Sequence, residues 1–237
     1  MRLDKLLSNM GYGSRKEMKK LLKSGTVLID GVPAKEGKAQ VDPFKQVVVV
    51  NGEKIEYREF IYILMNKPQG VISATEDREH KTVIDLLPVE YQVFEPFPVG
   101  RLDKDTEGLL LLTNDGQLSH QLLSPKKHVP KTYFARIDGE VTEHDQEAFK
   151  MGIILDDGYE TKPGDLVILS SGSTSEIELT ITEGKFHQVK RMFQAVGKEV
   201  TYLQRISMGT LTLDPVLKIG EYRELIEDEL VKLQNRE

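Results

Sequence analysis

Leu3, Leu6, Leu7 and Met10 recur at helical spacing and predict a short helix, which the Gly11-Tyr12-Gly13 stretch ends. Ser14, with Glu17 three residues on, forms the capping box of a second helix. There Met18, Leu21 and Leu22 share one face, and Gly25 marks the stop. The pattern then shifts to period two. TVLI, VPA and QVVVV predict short strands, with Asp30-Gly31 and Asn51-Gly52 as tight turns. Two helices followed by β structure make a first domain, residues 1–60.

From residue 61 the texture changes. IYILMNKPQGVISA reads as a strand, a Pro-Gly turn and a second strand, and VIDLLP as a short helix or strand ending at Pro88. GLLLLT is a buried strand, and the Thr113-Asn114-Asp115-Gly116 that follows reads as a hairpin turn. KTYFARI and EIELTITEG alternate as strands, and EHDQEAFKM is helical. KFHQVKRMFQAVG is an amphipathic helix with Val189, Met192, Phe193 and Val196 on one face. YRELIEDELVKLQNRE closes the chain as an acidic helix. Many short strands with few intervening helices predict an α+β second domain, residues 61–237, on a mixed, largely antiparallel sheet. Neither common type of Gly-rich phosphate loop is present.

Charge changes this picture. The net charge of −6 splits into +4 over residues 1–60 and −10 over the rest. Residues 1–23 hold seven Lys and Arg against Asp4 and Glu17 alone. Arg15, Lys16, Lys19, Lys20 and Lys23 of the second helix therefore form a one-signed patch suited to phosphates, the ordinary alternative being a solvated face. The absence of cysteine excludes disulfides, thiol nucleophiles and cysteine zinc sites. No stretch approaches the roughly 20 apolar residues of a membrane span, and the N-terminus has no apolar core of signal-peptide length, so no membrane partner and a cytoplasmic location are expected.

Candidate chemistry centres on GRLDKDTEGLLLLTNDG, with four acids: Asp103, Asp105, Glu107 and Asp115. Asp103-Lys-Asp105-Thr106 comes near a phosphatase D-x-D-x-T, with Thr106 one place early, but there the first aspartate ends a hydrophobic strand, whereas this apolar run comes after the acids. A glycosidase carboxylate pair lacks support in a chain without tryptophan. Asp115 fits turn chemistry, and capping or solvating a loop is the favoured role for Asp105 and Glu107. Asp103 differs because its loop runs directly into a buried strand.

Two resemblances bear on these residues. RLDKLLSNMGYGSRKEMKKLLKSGTVLIDG resembles the small S-four-type RNA-binding domain, which implies structured RNA as partner. GRLDKDTEGLLLLTNDG resembles the signature of the RNA pseudouridine synthases, with R-L-D at its centre. NKPQGVIS, KTYFARI and EGKFHQVKRMFQAVG match in order, so the resemblance spans about residues 1–230. SPKKHVPKTY, TKP and GEYREL resemble the RsuA-type branch, which implies isomerisation of uridine 516 in 16S rRNA, free or within an assembling small subunit. Large-subunit rRNA is the runner-up, and a non-catalytic rRNA-binding assembly factor is the alternative from another class.

The resemblance implies Asp103 as the catalytic residue, Lys190 as its basic partner and Tyr133 as the stacking platform for a flipped base. Phe134 is expected on the opposite strand face, in the core. Arg101 is the candidate for holding displaced RNA backbone, its alternative an ion pair with Asp105 or Glu107. Lys126, Lys127, His128 and Lys131 add a second basic stretch. The isomerisation involves no redox change and no group transfer, so neither cofactor nor metal is expected, and a monomer suffices.

Overall fold

Helix α1 (Leu3–Asn9) buries Leu3, Leu6 and Leu7 against Met18 and Leu22 of α2 (Arg15–Lys23). Glu17 accepts from the backbone N–H of Ser14 at 2.8 Å, while Ser14 Oγ accepts from Glu17 N, so the capping box closes in both directions. In this computed structural model residues 1–235 are described; the side chain of Arg15 lies outside the described residues. A four-stranded sheet follows from β1 (Val27–Ile29), β2 (Val32–Pro33), β3 (Val48–Val50) and β4 (Glu53–Lys54), in the order β2-β1-β3-β4. Asp30-Gly31 and Asn51-Gly52 turn the two hairpins with φ between 50° and 88° at all four residues, the geometry that selects Asx-Gly. The chain divides into two compact units, Met1–Ile61 with Leu87–Pro96, and Tyr62–Leu86 with the chain from Phe97 on. The short helix α3 (Val89–Gln92) belongs to the first.

The second unit is built on β5 (Tyr62–Lys67), β6 (Phe97–Pro98), β7 (Glu107–Thr113), β8 (Lys131–Asp138), β9 (Asp165–Ser170), β10 (Thr174–Ile181), β11 (Glu199–Met208), β12 (Leu211–Thr212) and β13 (Tyr222–Glu224). Among the described residues these form one sheet in the order β13-β5-β7-β11-β8-β10-β9, with β12 on β11 and β6 on β7. The sheet is antiparallel except where β7 and β11 run parallel, Glu107 beside Gln204 and Gly108 beside Arg205. Every residue of β7 is buried, which is why its leucine run shows no alternation: both faces of a central strand are covered. The helices are α4 (Gly116–Leu123), α5 (Glu143–Met151), α6 (Gln188–Ala195) and α7 (Glu227–Gln234). No described helix is long and apolar enough to cross a membrane.

Local expectations fail at four places. Asp115 makes no hairpin turn; it caps α4, accepting from Leu118 N at 2.9 Å and from Tyr62 Oη at 2.9 Å. After the Gly70 turn no second strand forms, and Ile72 makes one isolated bridge to Thr82. Tyr222–Glu224 is an edge strand on β5 rather than the start of the closing helix, because Met65, Leu64 and Ile63 offer it backbone partners. Helix α6 begins only at Gln188, which leaves Lys185–His187 as a loop.

Candidate active site

The loop before β7 is held from behind. Lys67, at the end of β5, is fully buried, and its ammonium donates to the carbonyls of Thr106 (2.9 Å), Asp103 (3.0 Å), Pro68 (3.0 Å) and Lys104 (3.5 Å). Ser73 Oγ accepts from Leu102 N at 3.0 Å and donates to Leu102 O at 2.9 Å, and Gly70 N donates to Lys104 O. NKPQGVIS therefore acts as the clamp that fixes the R-L-D loop. Burial pushes the Lys67 pKa down to about 8, against the pull of Asp103, Asp105 and Glu107.

The four acids part company here. Glu107 opens β7, buried, and accepts from Tyr202 Oη at 2.6 Å, which joins burial in raising the Tyr202 pKa. Asp105 accepts from Lys190 Nζ at 2.6 and 2.7 Å. Burial works to raise its pKa, but the Lys190 bonds outweigh that and hold it below the usual carboxylate value. Asp103 lies 3.7 Å from Lys190 Nζ through Oδ2 and 3.7 Å from His187 Nε2 through Oδ1. Both distances exceed a hydrogen bond, so Asp103 sits in a cationic setting with its oxygens uncommitted to either group. Lys190 thus serves both aspartates, and Asp105 holds it more tightly.

Asp103 is the only carboxylate among the described residues lining its recess, beside Arg101, Thr106, Tyr133, Lys185, His187 and the apolar Leu102, Ile181, Val189 and Leu203. Tyr133 is buried on β8 and lines both this recess and a neighbouring cleft of about 310 Å³. The recess alone holds about 80 Å³. The recess and the cleft share the wall formed by Arg101, Tyr133, Gly184 and Lys185, and the recess is open to solvent. Arg101 is exposed and makes no ion pair among the described residues, which removes the expected alternative of a bridge to Asp105 or Glu107. Phe134 does face away from Tyr133, but onto a half-open sheet face, edge-on to Tyr202 at 6.0 Å, and not into the core.

The cleft is basic. Lys131, Lys162, Lys185, Arg101 and Arg205 line it against one carboxylate, Glu183, whose oxygens already accept from Tyr159 Oη, Lys162 N and Gln188 Nε2. Lys162 Nζ lies 2.8 Å from His128 Nδ1, linking the cleft to the exposed Lys126, Lys127 and His128. Arg205 is 2% exposed, donates through Nε to Leu109 O at 2.8 Å, and leaves Nη2 buried without a partner. It sits in register with Tyr133 across β11 and β8. Sequence reasoning missed Lys67, His187 and Arg205: the first two stand inside quoted motifs and Arg205 in none, and the role of each depends on partners 36 to 96 residues away. In the first unit Lys16, Lys19, Lys20 and Lys23 are all exposed on α2, as a phosphate-facing patch requires.

Comparison with known proteins follows the same division. Residues 61–195 match the RNA pseudouridylate synthase family, and residues 1–47 match the S4 domain. An uncharacterized RNA pseudouridine synthase of Bacillus subtilis is 61% identical, covering 97% of each chain. The ribosomal small subunit pseudouridine synthase A of Vibrio cholerae is 42% identical over 98% of this chain and 99% of its own, and that of Escherichia coli 36% identical over 98% and 100%. A crystal structure of a pseudouridylate synthase superposes with a TM-score of 0.69 at 36% identity, covering 98% of this chain and 99% of the other.

Proposed function

The chain belongs to the RNA pseudouridylate synthase family, and from that premise we propose that it isomerises one uridine of small-subunit rRNA, uridine 516, with Asp103 as the catalytic residue. The observation that carries this reading is the recess: a single carboxylate with two nitrogen groups at 3.7 Å, walled by a buried tyrosine and apolar side chains. The reaction breaks the bond from ribose C1′ to uracil N1, rotates the base and forms a bond from C1′ to C5. N1 gains a proton and C5 loses one, so atoms balance without an oxidant or co-substrate. An ionised Asp103 serves this chemistry either by attacking C1′ or by drawing the proton from C2′.

The target must leave its stack to reach Asp103, which costs a few kcal/mol. Stacking on Tyr133 offsets about 1–3 kcal/mol of that. Arg101, exposed at the rim, suits the displaced backbone, and the basic cleft with Lys126, Lys127 and His128 suits flanking phosphates. The exposed lysines of α2, with Arg15, supply sequence-independent RNA affinity. The small-subunit target is supported by the relatives that bear that name, and a cytoplasmic place of work goes with it as part of the proposal. Mapping pseudouridines in cells lacking the protein, rescued with wild type or Asp103→Asn, tests the proposal. Loss of one small-subunit site, restored by wild type alone, is expected. Restoration by the variant would exclude Asp103, and a lost large-subunit site would move the target.

A further inference from the structure

Phe186 is 71% exposed, and a lone exposed apolar side chain needs no explanation. This one is held in place from several sides. Its ring stacks on the imidazole of His187 with centroids 3.7 Å apart and planes 19° from parallel. Its carbonyl accepts from Arg191 Nη1 at 3.4 Å, and Arg191 is itself fixed by Asp156, at 2.6 Å from Nε, and by Asp157. His187 adopts a left-handed backbone with φ of 48°, uncommon for a residue with a side chain. On the other side Lys185 N donates to Gln188 Oε1, and the Lys185 ammonium rests 4.3 Å from the centre of the Tyr159 ring. The result is a flat apolar surface, backed by a second ring on one face and open on the other. His187 lines the recess, its Nε2 3.7 Å from Asp103 Oδ1, whereas Phe186 lies outside it, at the lip.

We propose that Phe186 is a stacking platform for the nucleobase flanking the target uridine, a subsite distinct from the Tyr133 surface that meets the target itself. The proposal rests on the functional reading above. When a uridine turns into the recess, its neighbours stay at the mouth. One phosphodiester ties each flanking nucleotide to the target, so the flanking base stays at the mouth, within reach of the ring adjoining His187. That base has lost one stacking partner, and a phenyl face replaces it with little regard to sequence because every base has a π face. The double-ring backing fixes the platform before RNA arrives, so little ordering remains to be done on binding.

The test uses an rRNA fragment spanning the modified uridine, intact or with the base removed from either flanking nucleotide. Phe186→Ala is expected to lower kcat/KM on the intact fragment about tenfold, and Phe186→Tyr to restore it. Removing one of the two flanking bases should cost wild type a similar factor and cost Phe186→Ala nothing further. Equal losses for both proteins on the abasic fragment would show that ring and base act independently and overturn the proposal. So would an unimpaired Phe186→Ala. A wild type that modifies no RNA would instead overturn the functional reading, and this subsite with it.

Discussion

Lys190 donates to both oxygens of Asp105, at 2.6 and 2.7 Å, while it stands 3.7 Å from Asp103. The lysine is thus parked on one aspartate within reach of the other. Asp103→Asn should lower turnover by at least about 10³-fold while RNA binding persists. Asp105→Asn releases Lys190 toward Asp103 and should keep kcat/KM within about tenfold of wild type, or roughly 1.4 kcal/mol. Single-turnover rates for the two variants check this; an inert Asp105→Asn enzyme beside an active Asp103→Asn would reverse the roles.

The clamp at Lys67 makes a pH-dependent prediction. Its folded pKa of about 8 lies below the value of about 10.4 for an unfolded lysine. Between those values the folded state holds fewer protons than the unfolded, so this group's contribution to stability increases as pH rises through the window. Activity should move the other way, because a neutral amine has two N–H groups for four carbonyls. A rate profile beside urea unfolding, from about pH 7 to 10, checks both signs. Lys67→Met should cost about 1–3 kcal/mol of stability through the orphaned carbonyls.

Arg205 sets function against stability. A guanidinium that is 2% exposed, with no carboxylate paired to it among the described residues, is poorly compensated. Arg205→Met should leave the unfolding free energy unchanged or raise it by up to about 2 kcal/mol. It should also lower kcat/KM on RNA at least about tenfold, because the cleft loses its innermost positive charge. Chemical unfolding and steady-state kinetics on one preparation decide the matter, and a fall in both quantities would make Arg205 merely structural.

The α2 patch should act on affinity alone. Lys19→Glu with Lys20→Glu should weaken binding evenly across RNA sequences and flatten the dependence of log K on log salt by about 0.7–0.9 per lost phosphate contact. Turnover at saturating RNA should be unchanged. Titrations at several salt concentrations provide the slope.

What could be read from the chain was whatever depends on neighbours in sequence. The Ser14–Glu17 box, the Asx-Gly turns, the buried leucine strand and helix α5 all follow from local periodicity and turn chemistry. Pairing across the fold was hidden. Nothing near Lys67 indicates that its ammonium reaches the carbonyls of residues 103, 104 and 106, and nothing near Glu107 announces Tyr202. Asp105 illustrates the limit best: read as a loop carboxylate, it turns out to hold the lysine expected on Asp103. Asp115 looked like a turn because Asn-Asp-Gly serves turns and helix caps alike, and only Leu118 N and Tyr62 Oη distinguish the two.

The parallel contact between β7 and β11 also sets an order of events during synthesis. Gly108 lies so close to β11 that an added Cβ would meet Arg205 O at 2.3 Å, and Arg205 reaches back to Leu109 O. The strand that Asp103 leads into has β5 on one side from the start, but its other side stays open until the ribosome has made Arg205. At about 5–20 residues per second the intervening stretch of about 100 residues takes on the order of 5–20 s. The first unit needs nothing beyond Pro96 and is finished before then. If α2 and Asp103 have the roles proposed for them, a nascent chain can present its lysine-bearing helix to RNA while the aspartate still waits for β11, so attachment can precede the capacity to alter a base.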